Sequence, residues 1–304
     1  MERKQLEYFL AIASHGSFTS AAHSLRVAQP SLSYAIRVLE REVGAPLFRR
    51  LGRGVVLTPM GEALLTPARQ VLHDFTRLQT TAQQVTGLVS GRVDIVAVTT
   101  LAVDPLATYV GAFRSRYPGV EFSVVDPENA AAVIDVVRRG QCELGLTEHG
   151  ISTVGMRVLE LPRQDVLAVL PSAAARPASG VLTVAELARL DFVTTPRGTT
   201  TRNVLEDVIA MVGAPPRIAV ECTHRAAIVP LVLAGAGATL LPRRLARDAA
   251  ALGAVVVGVD PPVTRHGVLV WAPGSLSPAA QAFVDLLASW SAEGDDSDSS
   301  GTTE

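Results

Sequence analysis

The sequence predicts an α/β chain in three parts: an α-rich head closed by a short hairpin, one long helix, and a two-lobed α/β domain. Three observations predict it. Residues 1–58 hold three helical patterns followed by an arginine-rich apolar hairpin, residues 59–88 carry a seven-residue apolar repeat, and from 91 onward strand and helix patterns alternate twice over.

In the head, Leu6, Phe9, Leu10 and Ala13 fall at helical spacing and predict a first helix over about 5–15, which Gly16 can end in the left-handed conformation that a Cβ disfavours. Ser17 or Thr19 can accept a backbone N–H at the next helix start, and Ala21, Ala22 and Leu25 let two helix backbones approach closely. In the third helix Leu32, Ile36 and Leu39 face inward. That leaves Ser33, Tyr34, Arg37 and Arg41 outward, on a helix narrow enough for a major groove. Residues 47–58 read as two short strands about a Gly-containing turn, with Arg49, Arg50 and Arg53 at the tip to reach backbone phosphate. Helix, turn, helix and wing in this order make a winged helix-turn-helix over 1–58. Its expected DNA-facing residues are Gln29, Pro30, Ser33, Tyr34, Arg37, Arg50 and Arg53. Charge agrees: over residues 1–60 eight basic side chains face four acidic ones, a net of +4, whereas the whole chain carries −2. A helical cap with a solvated basic face would account for the charge but not for the order of elements.

The run from Leu6 to Gly61 contains Phe9, Ala13, Gly16-Ser17-Phe18, Ala21-Ala22, Leu25, Gln29-Pro30, Leu32-Ser33, Ile36, Leu39-Glu40, Leu47-Phe48, Arg50, Arg53 and Leu57-Thr58-Pro59-x-Gly61. This run resembles the LysR-type transcriptional regulators. The resemblance implies a sequence-specific regulator of transcription that binds double-stranded operator DNA, self-associates as a homodimer or homotetramer, meets RNA polymerase and answers to a small-molecule effector. It implies no enzyme activity and no cofactor. Two positions depart from the family pattern: Ala28 stands where a capping Ser or Thr is common, and Tyr34 where many members carry arginine. The operator read is therefore expected to differ.

A long helix follows. Thr58 can cap it and Pro59 suits its first turn, where the missing N–H has no partner anyway. Leu64, Ala68, Val71, Phe75, Leu78, Ala82 and Val85 alternate at spacings of four and three, the a/d repeat of a coiled coil, and Pro67 is expected to bend the helix without ending it. At about 1.5 Å per residue a helix over 59–88 would be roughly 45 Å long, enough to hold two heads apart. Residues 59–90 are thus expected to be a dimerisation helix and hinge; packing along its own domain is the alternative.

Beyond Gly87-Leu88-Val89-Ser90-Gly91 the composition changes. A strand at 93–98, a helix at 106–117, a strand at 120–125, a helix at 129–139 and a strand at 143–147 give βαβ alternation. A second run follows, with strands at 190–194, 217–221 and 238–241 and helices at 201–212, 223–234 and 243–250; a strand at 269–271 and a helix at 278–290 return to the first sheet. Crossing strands near 162–167 and 262–268 would join two lobes, about 91–162 with 268–292 and about 163–267. Phe113-x-x-x-Tyr117-Pro118, Cys142–Thr147 and Ala234-Gly235-Ala236-Gly237-Ala238-x-x-Leu241-Pro242 extend the family resemblance over 91–292, a domain similar to periplasmic solute-binding proteins. In open α/β sheets ligands bind beyond the carboxyl ends of strands, which selects Thr99, Thr100, Asp126, Thr147 and Glu148. The loop into the helix at 201 adds Thr199, Thr200, Thr201 and Arg202, whose hydroxyls and cation suit a carboxylate, and His224 is a further donor. Each has an ordinary reading as a cap or a strand-end bond. Asp126 and Glu148 sit awkwardly beside an anion, so one is expected to pair with arginine or to meet a cationic group on the effector.

At 48% hydrophobic and 18% charged, the 304-residue chain is globular. Cys142 and Cys222 have neither C-x-x-C spacing nor a histidine at zinc spacing, and the start of the chain has no signal-like apolar core, so a cytoplasmic protein without membrane partner or bound metal is expected. An exported solute-binding protein would lack the DNA head. An enzyme finds no anchor, since G-x-x-x-x-G-K-S/T, G-x-S-x-G and H-E-x-x-H are absent. Residues 293–304 are acidic and serine-rich and read as a disordered tail.

Overall fold

The computed structural model describes residues 1–51, 54–84, 91–127, 129–274 and 276–298. In the head, α1 (Arg3–His15), α2 (Phe18–Ser24) and α3 (Gln29–Val43) bury Leu6, Phe9, Ile12, Ala21, Ala22, Leu32, Ile36 and Leu39 in one core. Gly16 ends α1 at φ 61°, and Ser17 caps α2 by accepting from the Ser20 N–H. Ala28 stands at the start of α3 and gives it no side-chain cap, as its sequence position implied. The wing is β1 (Phe48–Leu51) paired antiparallel with β2 (Gly54–Leu57). It is fixed from both sides: Val55 N donates to the Gly16 carbonyl at 2.9 Å, and the Glu40 carboxylate accepts from Leu47 N at 2.8 Å and Phe48 N at 3.4 Å.

The long helix α4 (Pro59–Gln84) runs through Pro67. Thr58 Oγ1 caps it, accepting from Gly61 N at 3.1 Å while donating to the Pro46 carbonyl at 2.6 Å. The apolar repeat divides in use. Leu64 and Ala68 pack into the head's own core, whereas Val71, Phe75 and Leu78 are exposed, Leu78 by 70%. The expectation that the whole repeat faces a partner is thus corrected for its first two members, which complete a head too small to enclose them alone. Val85 and the hinge at 87–90 lie outside the described residues.

The first lobe is built on β3 (Gly91–Ala97), the short turns α5 (Thr99–Leu101) and 102–106, α6 (Ala107–Arg116), β4 (Val120–Val125), α7 (Ala132–Arg138), β5 (Leu144–Glu148) and β6 (Arg157–Glu160). The second lobe contains β7 (Gln164–Leu170), β8 (Val181–Thr183), α8 (Val184–Leu187), β9 (Asp191–Thr194), α9 (Thr200–Ala210), β10 (Arg217–Glu221), α10 (Ile228–Leu233), β11 (Thr239–Pro242), α11 (Arg243–Ala251), β12 (Val255–Asp260) and β13 (Val263–Arg265). The chain then returns through β14 (Gly267–Trp271) and α12 (Pro278–Asp298). The first sheet has the order β4-β3-β5-β14-β6; the second runs β11-β7-β12-β8 with β13 also on β7, and β9-β10 form a parallel pair bridged to it at Phe192 and Ala238. The chain passes between the two sheets at β6–β7 and again at β13–β14.

Three boundaries move. α7 starts at Ala132 because Asn129, expected inside the helix, stays outside and accepts from Ala132 N at 3.0 Å. The helix expected from 223 starts at 228 after a 3-10 turn at 225–227, which puts Pro230 in its first turn, where a missing N–H costs nothing. α12 continues to Asp298, into the segment read as a disordered tail; Gly294 is tolerated at a cost of about 1 kcal/mol.

Candidate functional site

Two surfaces follow from this framework. On the head, Leu32, Ile36 and Leu39 anchor α3 and turn its other face outward, so that Tyr34 is 64% exposed and Arg37 is exposed. Pro30 occupies the first turn of α3, and Gln29 Nε2 donates to Ser33 Oγ at 2.8 Å, presenting both as one polar unit. Gln29, Ser33, Arg37 and Arg49 line a groove between α3 and the wing. The backbone of Arg50 pairs with Val55 in the wing, and Arg53 lies outside the described residues. The turn between α2 and α3 places Arg26 at φ 53°, which periodicity had not indicated.

The second surface is the junction of the two lobes, and two of its principal residues were missed by the sequence. Arg225, just before α10, reaches across to the first lobe: its Nη1 meets both Asp126 oxygens at 2.8–2.9 Å and the Thr99 hydroxyl, and Thr99 Oγ1 donates to Asp126 Oδ1 at 2.9 Å. Of the two awkward carboxylates, Asp126 is the one that pairs with arginine. Arg265, in the second crossing, is buried. Its Nε donates to Gln164 Oε1 at 2.7 Å and its Nη2 donates to the carbonyls of Thr100 and Asp104, each at 3.1 Å. Its Nη1, like the Thr100 hydroxyl, is buried with no hydrogen-bond partner. Burial lowers the Arg265 guanidinium to about 10, against the opposing pull of Glu148 and Asp104. The Glu148 carboxyl rises from its ordinary value, chiefly through burial, although the Arg265 charge and the Thr200 side chain oppose the shift. An arginine inside an apolar crossing strand was the available signal for Arg265. Arg225 carried none, since its partners are 99 and 126 residues away.

The remaining expected residues separate. Thr147 is fully buried and donates to the Ala130 carbonyl at 2.8 Å, so its hydroxyl serves the loop after β4. Thr199 donates to the Pro196 carbonyl at 2.7 Å and meets Thr195 at 2.5 Å. Arg202 corrects the anion-loop expectation: its side chain is 5% exposed and pairs with Glu206 at 2.7 Å and Glu221 at 3.3 Å, so its charge is already neutralised. Thr200 is buried on the junction side and Thr201 half-buried. His224 is exposed and lies before the 3-10 turn rather than in a helix. Among the described residues no helix is long and apolar enough to cross a membrane.

A winged head with a polar groove-sized helix, joined to two α/β lobes that close on buried donors, defines a DNA-binding regulator controlled by a small ligand. Comparison makes this specific. Residues 3–62 match the family model for the bacterial regulatory helix-turn-helix protein, lysR family, and residues 86–292 match that for the LysR substrate binding domain. The HTH-type transcriptional regulator IlvR of Caulobacter vibrioides is 30% identical over 293 residues, covering 94% of this chain and 97% of that protein. The Hca operon transcriptional activator HcaR of Escherichia coli is 28% identical, with 94% and 97% covered. In fold, the chain is similar to full-length CbnR complexed with its target DNA, at a TM-score of 0.68 and 22% identity over 94% of this chain and 99% of that one. The chain belongs to the LysR family of transcriptional regulators. It is a DNA-binding regulator with an effector-binding domain, not an enzyme.

Proposed function

We propose that the effector is a small molecule bearing a carboxylate or similar acceptor group, bound where the lobes meet. The observation that carries this is the pair of buried, unpartnered donors, Thr100 Oγ1 and Arg265 Nη1, beside the raised carboxyl of Glu148. A buried donor without an acceptor costs about 1–3 kcal/mol, and an acceptor supplied by a ligand recovers it. Thr99, Asp126 and Arg225 act as a clasp that holds the lobes together; Thr200 and Thr201 complete the second lobe's side. Thr147, Thr199 and Arg202 support the walls, and His224 has no part in the acceptor site. Lobe closure then alters how paired heads sit on an operator.

On DNA, we assign Ser33, Tyr34 and Arg37 to base edges and Gln29, Pro30, Arg50 and Arg53 to entry and backbone contacts. The exposed Val71, Phe75 and Leu78 stripe supports self-association through α4, and residues 1–58, 59–90 and 91–292 serve as head, linker and effector domain. We assign the protein to the cytoplasm, the compartment in which a bacterial operator is reached. The test is a thermal-shift screen of the full chain against small carboxylates, amino acids and sugar phosphates. A ligand at about 100 times its Kd stabilises by roughly 2.7 kcal/mol. Stabilisation by a carboxylate that is lost in Thr100→Val supports the reading; an undiminished shift in that variant overturns the site.

A further inference from the structure

The most coherent cluster outside both surfaces is His149, Glu160 and His266, whose ligating atoms all lie within 4.8 Å of one another. Strand pairing creates it. His149 follows β5 and donates its backbone N–H to the His266 carbonyl at 2.8 Å, so the two histidines are cross-strand partners, with rings stacked 5.0 Å apart at 12°. Val268 pairs with Glu160 and His266 lies two residues earlier, which makes Glu160 the diagonal neighbour on the same face. Both imidazoles present Nε2 to this one carboxylate, His266 at 3.2 Å and His149 at 3.9 Å.

We propose that these three side chains form a site for a divalent transition ion of the zinc class. Two imidazole nitrogens and one carboxylate oxygen form a set that favours such ions over magnesium or calcium, which take oxygen ligands. Ligands at about 2.0–2.1 Å on a tetrahedral ion lie about 3.3 Å apart, and the exposed side chains of His149 and Glu160 can close the gap by rotation. The position gives the ion a structural effect. Glu160 precedes the first crossing between the lobes and His266 lies within the second, so an ion would tie both crossings to the end of β5. This inference is independent of the effector reading.

The test is equilibrium dialysis of the full chain against Zn²⁺ alone, with Co²⁺ absorption as a second readout. We expect one ion per chain, with affinity falling at least tenfold in His149→Ala and in His266→Ala and unchanged in Cys222→Ser. Because His149 is exposed, its variant tests the site without a core change. Failure to bind a stoichiometric ion would overturn the proposal, as would an ion retained by both histidine variants or a Co²⁺ thiolate band that disappears with Cys222.

Discussion

Replacing Arg225 with alanine should open the lobes. The guanidinium is 27% exposed and Asp126 59% exposed, so their pairing is screened by water and belongs with surface ion pairs worth about 0.2–1 kcal/mol. Its contacts with both Asp126 oxygens and Thr99 place it near the top of that range, and about 1 kcal/mol corresponds to roughly a fivefold change in the ratio of open to closed lobes. Dyes at Val154 in the first lobe and Leu252 in the second, respectively 80% and 68% exposed, would report the ratio by energy transfer. Cys222→Ser removes one competing thiol. Cys142 is buried, and burial pushes its thiol up to about 12, so it should not label. Arg225→Ala and Asp126→Ala should shift the ratio equally, and the double variant no further. Unchanged distance distributions, or additive shifts, would show that the clasp does not hold the lobes.

Other outcomes follow from the same geometry. A Cβ at Gly61 would stand 2.3 Å from the Leu47 carbonyl oxygen, so Gly61→Ala should destabilise the join of α4 to the wing by about 1–3 kcal/mol, seen as a lower thermal midpoint and weaker operator binding. Because the raised Glu148 pKa makes ionisation costly in the fold, its contribution is fully present below the unfolded value of about 4.3 and lost as pH rises through the folded one. Glu148→Gln should therefore raise the melting temperature at neutral pH and lose that advantage in acid; a gain equal at both ends would refute the cause. Arg50→Ala and Arg53→Ala should weaken binding to operator and random duplex alike and flatten the salt dependence, whereas Ser33→Ala and Tyr34→Ala should mainly alter sequence preference. Equal losses for all four on both duplexes, measured across salt concentrations, would contradict these roles.

The head was legible because its signals are local. Gly16, Ser17, Thr58 and Pro59 mark ends through their own backbone chemistry, and Leu32, Ile36 and Leu39 reveal a face by spacing alone. The junction was legible only in outline. Thr100 and Glu148 could be picked from strand ends, but whether a hydroxyl is free or spent depends on distant carbonyls, as Thr147 on Ala130 illustrates. Arg202 read as available although Glu206, its nearer partner, stands four residues on in the same helix; its second partner, Glu221, arrives 19 residues later on β10, beyond the reach of helical spacing. The histidine pair is likewise a product of strand register, invisible in positions 149 and 266 taken separately.

The Glu40 carboxylate ties the far end of α3 to the start of the wing, and the Gly16 carbonyl holds the wing's return strand. The helix that would enter the groove and the hairpin beside it are thereby held as a gauge of set span. A duplex whose groove is too wide or too narrow for that gauge must itself deform to fit. Operators should then be discriminated partly by how cheaply their untouched steps bend, and flexible pyrimidine–purine steps beside the contacted bases should bind more tightly than stiff A-tracts placed there.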